Sequence, residues 1–384
     1  MSLSDRWRLE LDRLEQNGRH RALQAPAGID FSSNDYLGYS KRTWPARELN
    51  GLPICPTGPD LPRSGIASRL LRGQHPIWDD VETKLAAWHQ AEAALVMTCG
   101  YAANEGLLST IIEAGDLVFS DQCNHASIID GVRLSRAEKI VCAHNDLNEV
   151  ETLMRQRTPV RRAHQAWFIV TESLFGMEAD ASPLREMAEL AERYQAHVIV
   201  DEAHATGCFG PAGSGLVDAL GLRNRILASV HTGGKALAVP GAYIVGSRLL
   251  RDILINRCRP FIFTTALPPH VGSWWLDALA LVATDEEARR TLHERARFLH
   301  KELALRRISN GGCHHIATVM LGTDAAAVEA ARRMREAGYD IRAIRPPTVP
   351  RGTARLRISV HADHEQGVLL DLSKTLATLV PPLL

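Results

Sequence analysis

Residues 197–207 read His-Val-Ile-Val-Asp-Glu-Ala-His-Ala-Thr-Gly, and this stretch decides the fold. An apolar, β-branched run leads into Asp201 and Glu202, and a glycine-terminated turn carrying His204 follows. The run is too short for a typical helix and reads as a buried strand of a parallel sheet. Open α/β sheets bind ligands where such strands end. Downstream, 226–230 (ILASV) reads as a second strand that delivers His-Thr-Gly-Gly-Lys, with Lys235 beside two glycines. An acid and an amine are thus both placed at strand ends.

A lysine in an enclosed site forms Schiff bases with carbonyls. Pyridoxal phosphate (PLP) supplies such a carbonyl, and an ionised aspartate can hold its pyridine nitrogen protonated, so that the ring draws electron density from a substrate carbon. Blander readings stand beside this one: a strand-end Asp is often a helix cap, and a lone Lys is usually solvated. The rival reading of Gly-Gly-Lys, a P-loop, fails twice. Position 229 is Ser where that motif needs Gly, and Ala236 stands where it needs Ser or Thr.

Working outward, residues 94–97 read as a strand, and Gly100 then opens a helix carrying Leu107, Leu108, Ile111 and Ile112. A helix N-terminus directly after a strand presents free N–H groups, which suits a phosphate. Pro76 opens an earlier helix with Ile77, Val81, Leu85 and Trp88 on one face. Further βα units are expected at 117–120, 139–141 and 166–171, and a last strand at 241–246. This alternation argues for a parallel sheet covered on both faces. His125, before a helix, is read either as a structural hydrogen-bonding group or as a ring stacked on a flat cofactor.

Residues 4–17 pattern as an amphipathic helix lying on another surface, and 52–62, rich in Pro and Gly, as a loop. The glycines of 210–215 are read as a loop before no clear helix. Trp274 to Leu303 suggests one long helix bridging two domains. Beyond it, strands at 316–321, 340–344 and 354–359 with helices at 324–337 and 366–379 form a compact α/β unit of their own. Cys313-His314-His315 lacks companion ligands at a useful spacing, so no metal is expected.

The 384 residues, 45% hydrophobic, suffice for a large core and two domains. With 44 basic against 44 acidic residues there is no global field for nucleic acid or anionic lipid. Partners should be small molecules or protein. Seven scattered cysteines without a CxxC pair suggest reduced thiols, and a charged N-terminus with no apolar segment suggests a cytoplasmic protein.

Together the motifs resemble the α-oxoamine synthases of PLP fold type I. FSSNDYLG, GYAAN, NHASIIDG, TES-F-M, VDEAHATG, HTGGK and RPPTVPRGTARLRIS occur in that family's order over nearly the whole chain. The first and last look most like the biotin-pathway branch. The resemblance implies an N-terminal arm over 1–50, a large PLP domain over 51–275 with a mostly parallel seven-stranded sheet, and a bridging helix with a small α/β domain over 276–384. It implies a homodimer with shared sites. The implied reaction is decarboxylative condensation of L-alanine with a pimeloyl thioester, on CoA or a carrier protein. A glycine-using acyltransferase and a weakened PLP-binding homologue are the alternatives.

Residue by residue, it implies Lys235 as the Schiff-base lysine and Asp201 as partner of the pyridine nitrogen. His125 would stack on the ring and His204 would bond its phenolic oxygen. Gly100, Tyr101 and Thr232 would meet the phosphate, and Thr264 and Thr265 the phosphate of the neighbouring subunit. Asn34 lines the site, Arg357 clamps the amino-acid carboxylate, and Thr348 and Arg21 contact the acyl substrate. The chain departs from the pattern at Gly176, where the family has a serine hydroxyl. It departs again at 236–240, where Ala-Leu-Ala-Val-Pro replaces a glycine-rich continuation.

Overall fold

The computed structural model describes residues 1–42, 47–49, 52–54, 62–308 and 310–379. Two compact units result. The larger comprises Leu37–Phe175 and Ala181–Arg289; the smaller comprises Met1–Tyr36, Gly176–Asp180 and Arg290–Leu384.

The larger unit is built on seven strands: β1 (Ala93–Met97), β2 (Leu117–Asp121), β3 (Glu138–Cys142), β4 (Trp167–Glu172), β5 (His197–Asp201), β6 (Ala228–Thr232) and β7 (Ala242–Gly246). Their order is β1-β7-β6-β5-β4-β2-β3. All run parallel except β7, which is antiparallel to both neighbours. The sequence signature of β5 is explained by its two faces. Ile199 packs with Phe168, Val170, Val230 and Leu107, whereas Val198 and Val200 pack with Ile169, Leu184, Met187 and Leu190. Side chains alternate across a strand, so burial on both faces demands an unbroken apolar run.

Several expectations shift in detail. β6 runs through His231 and Thr232 rather than ending at Val230, because Leu227 N–H is already bound to Val198 C=O and the pairing starts at Ala228. The helix α2 (Pro76–Trp88) buries Trp78, Val81, Glu82, Leu85 and Ala86, a face rotated from the expected one. The stretch expected as one long helix is two, Pro269–Thr284 and Glu286–Leu305. The break is at Asp285, whose φ −87° and ψ 60° leave the helix and whose carboxylate accepts the N–H of Ala288 as a cap. In the expected loop, Leu52–Ile54 pairs with Arg47–Leu49 as a short antiparallel hairpin, and 55–61 lie outside the described residues.

The glycines of 210–215 are also more than a loop. Gly215, at φ +116°, leads into the short helix Leu216–Ala219, and a Cβ on it would sit 2.3 Å from the Glu202 carboxylate. Only glycine serves both needs.

The smaller unit holds a four-stranded antiparallel sheet in the order Asn310–Gly311, Ile316–Gly322, Ala354–Ser359, Arg342–Ile344. The helix Asp324–Glu336 packs on it. The strand expected at 340–344 is split: Tyr339–Asp340 pairs with Ile29–Asp30, and Arg342–Ile344 joins the sheet. The N-terminal helix α1 (Leu3–Gln16) forms as expected, with Ser2 and Asp5 in a capping box. None of its residues is buried, so the described chain does not cover its apolar residues Trp7, Leu9 and Leu11. No helix among the described residues is long and apolar enough to cross a membrane.

Candidate active site at the strand ends

Parallel strands β4, β5 and β6 end together at Glu172, Asp201 and Thr232, and the sequence turns at these ends carry the candidate residues. Lys235 lies three residues past β6, and its Nζ is 2.9 Å from Nε2 of His204, within hydrogen-bond distance. The turn carrying His204 is fixed by shape. Gly207 has φ +85°, and a Cβ on it would come within 2.8 Å of the Ala236 methyl. The alanine after Lys235 thus packs directly on the His204 turn.

Asp201 is buried, and both carboxylate oxygens are occupied: Oδ1 accepts from Ala203 N–H at 2.8 Å and Oδ2 from Asn104 Nδ2 at 2.6 Å. Asn104 comes from helix α3 (Gly100–Ile111) and its amide also reaches Ser127 Oγ at 3.0 Å. Ser127 belongs to helix α4 (Ala126–Ser135), whose N-cap is His125. His125 Nδ1 is 2.8 Å from that same Ser127 Oγ, and its backbone N–H donates to Glu172 Oε1 at 2.8 Å. Desolvation of the His125 ring holds it below the ordinary imidazole range; the charge of Lys235 acts the same way and that of Asp201 opposes it. One chain of contacts therefore links His125, Ser127, Asn104 and Asp201.

Gly100 and Tyr101 open α3 with the free N–H groups of a helix start. A Cβ on Gly100 would lie 3.7 Å from Oγ1 of Thr232, so helix start and strand end face one small cradle. Tyr101 is half-exposed and its hydroxyl donates to Asp130. Thr264 lines a small cavity with Thr98 and Met97, at the turn leading into α3; Thr265 is exposed.

The expected substrate residues, Arg21, Asn34, Thr348 and Arg357, all belong to the smaller unit. Arg357 is buried and donates to Gly176 C=O (2.6 Å), Ser359 Oγ (2.8 Å), Asn34 Oδ1 (2.9 Å) and Tyr36 Oη (3.0 Å). No carboxylate pairs with it among the described residues. The carbonyl of Gly176, noted for its missing hydroxyl, is therefore an arginine-positioning group. Arg21 Nη2 and Thr348 Oγ1 are 3.5 Å apart.

A second, largely buried network supports the strand ends and was not legible in the sequence. Arg223 donates to Ser229 Oγ (2.7 Å), Ser229 to His231 Nε2 (2.7 Å), His231 Nδ1–H to Thr206 Oγ1 (2.8 Å), and Thr206 to the Glu202 carbonyl (2.8 Å). The direction of donation fixes a neutral His231 protonated on Nδ1. Burial, then His89 and Arg223, hold its ionisation well below the ordinary imidazole range. His89 repeats the pattern between Asp218 (2.7 Å) and the Tyr243 hydroxyl (2.9 Å), and is lowered chiefly by burial. Glu202, whose carboxylate takes the Leu216 and Val217 N–H groups, is pushed up to about 7 by burial.

A family model described as aminotransferase class I and II matches residues 26–375. The chain belongs to the aminotransferase class I and II family. Within that family its similarities converge. It is 40% identical to an 8-amino-7-oxononanoate synthase of Anaeromyxobacter dehalogenans, over 97% of this chain and 95% of the relative. A second 8-amino-7-oxononanoate synthase, of Chlorobaculum parvum, is 40% identical over 91% of this chain and 89% of the relative. Among solved structures, a lysine-to-alanine variant of serine palmitoyltransferase from S. paucimobilis with a bound PLP–myriocin aldimine superimposes with a TM-score of 0.84. Its identity is 26%, covering 99% of this chain and 98% of that one.

Proposed function

We propose that the protein is a PLP-dependent acyltransferase that condenses L-alanine with a pimeloyl thioester, releasing carbon dioxide, free thiol and 8-amino-7-oxononanoate for biotin synthesis. The observation that carries the reading is the pairing at neighbouring strand ends of Lys235, held by His204, with the buried, doubly bonded Asp201. The resident group fits this donor set. The cradle between Gly100 and Thr232 offers helix-start N–H groups and a hydroxyl to a phosphate. Asp201 offers a fixed negative charge to a pyridinium.

When bound, PLP supplies an aldehyde for amines and a ring that withdraws electron density from the carbon next to the nitrogen. The protein's own residues do the rest. Lys235 would hold the cofactor, and its amine would serve as the base that takes the proton from the alanine α-carbon. His204 is the immediate partner of that amine and keeps it directed. Asn104 and the Ala203 N–H both donate to Asp201 and fix the position of its carboxylate, which would face the ring nitrogen of the bound cofactor. His125 presents a neutral, flat ring anchored by Ser127. Arg357, a buried cation without an anionic partner among the described residues, is assigned to the alanine carboxylate, which a guanidinium fork suits. Thr348 and Arg21 are assigned to the acyl substrate, Asn34 to holding Arg357, and Thr264 and Thr265 to the partner subunit's phosphate in a homodimer. The six described cysteines form no disulfide.

Balanced as bonds, the alanine α-carbon loses its proton and joins the acyl carbon, the C–S bond breaks and the thiolate takes up a proton, the carboxylate departs as carbon dioxide, and a proton takes its place on the α-carbon. Side-by-side assays of thiol release with L-alanine and glycine test the reading. Alanine-dependent release from pimeloyl-CoA or pimeloyl-carrier protein is expected; release with glycine alone would overturn the substrate assignment.

A further inference from the structure

Away from Lys235 and Asp201, the described residues hold two groups of side chains with metal-ligating chemistry: Asp121, Cys123 and His144, and His361, Asp363 and His364. In the second group His364 is committed to the backbone. Its Nδ1 accepts the His361 N–H at 3.1 Å and its Nε2 donates to the Asp30 carbonyl at 2.8 Å, so it has no lone pair to offer.

The first group is built differently. Asp121 ends β2 and pairs in register with Cys142, the last residue of β3. Cys123 lies in the turn after β2 and His144 in the turn after β3, so the parallel register sets both beside the Asp121 carboxylate. One oxygen, one sulfur and one imidazole nitrogen lie within 4.8 Å of one another, and all three residues are partly buried. The groups are held in place. The Cys123 N–H donates to Asp121 Oδ1 and the Asn145 N–H to Oδ2, each at 2.8 Å, which fixes the carboxylate. His144 Nδ1 hydrogen-bonds Oδ1 at 2.9 Å, and its ring meets Phe175 edge-on with centroids 4.5 Å apart. Asn124, next to Cys123, donates to Ser120 Oγ (3.0 Å) and the Val170 carbonyl (2.8 Å). Ligands oriented by such outer bonds lose little freedom when they take a cation. The surroundings also favour positive charge: burial, and then the charges of Glu149, Asp121 and Asp146, push the adjacent Cys142 thiol up to about 12.

The donor set selects the ion. Calcium and magnesium take oxygen ligands, whereas zinc accepts oxygen, nitrogen and sulfur together, and three protein ligands leave its fourth position to water. We infer that Asp121, Cys123 and His144 form a site for a divalent transition-metal ion of the zinc class. The ion would tie the turn after β2 to the turn after β3, two residues before His125. This inference does not depend on the reaction proposed above. Coordination removes the Cys123 thiol proton and displaces the proton between His144 and Asp121, so affinity falls as pH falls.

The test uses the PLP-loaded protein and three single variants, Cys123→Ser, His144→Gln and, as a control on the exposed cysteine beside His314, Cys313→Ser. Circular dichroism verifies that each folds. Equilibrium dialysis against buffered Zn²⁺ counts ions per chain, and difference spectra with Co²⁺ in place of zinc report the ligands through a thiolate-to-cobalt charge-transfer band. A single saturable ion per chain is expected, bound more weakly as pH is lowered. Cys123→Ser and His144→Gln should each weaken binding at least about tenfold, Cys123→Ser should remove the cobalt–thiolate band, and Cys313→Ser should change neither. Zinc should raise the Tm of the unaltered protein and not that of Cys123→Ser. No saturable binding, binding unchanged in Cys123→Ser, or a loss confined to Cys313→Ser would overturn the assignment.

Discussion

Asn104 is the residue whose replacement tests the site most severely without touching Lys235. Its amide donates to Asp201 Oδ2 at 2.6 Å and to Ser127 Oγ at 3.0 Å, and it is buried. Asn104→Ala removes both bonds and leaves a buried carboxylate with one donor fewer. A bond to an ionised group contributes about 1.5–3 kcal/mol and a neutral one about 0.5–1.5, so the summed loss is about 2–4.5 kcal/mol. Ser127→Ala, which removes the neutral bonds to the Asn104 amide and to His125 Nδ1, should cost about 1–3 kcal/mol by the same reckoning. Urea denaturation of both variants, followed by circular dichroism, gives the two losses as midpoint shifts at constant slope. PLP titration into the apoprotein gives a second reading, with Asn104→Ala expected to bind at least tenfold more weakly. A loss below 1 kcal/mol with unchanged PLP affinity would refute the argument that Asn104 holds Asp201 for the cofactor.

Other outcomes follow from the same structure. Lys235→Ala should abolish thiol release and the absorption of bound cofactor above 400 nm, about 420 nm for such lysine-bound PLP; a variant with normal turnover would contradict the role. Arg357→Met should raise the KM for alanine at least tenfold with less effect on the thioester, by loss of a charge-assisted bond, as steady-state kinetics would show. Acidification should destabilise the protein. His89 and His231 are buried neutral with lowered pKa values, so the unfolded chain takes up protons first as pH falls through about 6.5, at about 1.4 kcal/mol per pH unit per histidine. Glu202, raised to about 7, acts in the opposite sense between its unfolded and folded values and offsets part of this loss. Denaturation midpoints at pH 7 and pH 5 check the net sign; equal midpoints would contradict it. Ala238, at φ +52° in the loop after Lys235, is strained as a non-glycine residue. Ala238→Gly should therefore raise stability by up to about 1 kcal/mol, measured as a higher Tm.

The fold was legible where periodicity was unambiguous. The β5 run could only be a strand buried on both faces, and Gly100 marked the helix start that now faces Thr232. Less was legible where one residue redirects the chain. Asp285 interrupts an apolar pattern that reads as continuous, and its capping bond to Ala288 lies outside any hydrophobic count. The site residues were read as motif members, yet their supports come from distant segments. Nothing local ties His89 to Asp218 and Tyr243, or His231 to Thr206. A polar Asn104 among the buried Ala103, Leu107 and Leu108 of α3 was the available signal for Asp201's partner. The Gly176 position read as a lost hydroxyl, whereas its carbonyl orients Arg357, a backbone role that side-chain comparison does not reveal.

The central claim is an alanine-dependent acyl transfer built on Lys235 and Asp201. The most direct measurement is free-thiol release from pimeloyl-CoA and from pimeloyl-carrier protein by the PLP-loaded protein, with L-alanine, with glycine, and with neither. Release stoichiometric with carbon dioxide in the presence of L-alanine, absent in Lys235→Ala, is the predicted result. A PLP-loaded protein that binds L-alanine but releases no thiol from either donor would contradict it.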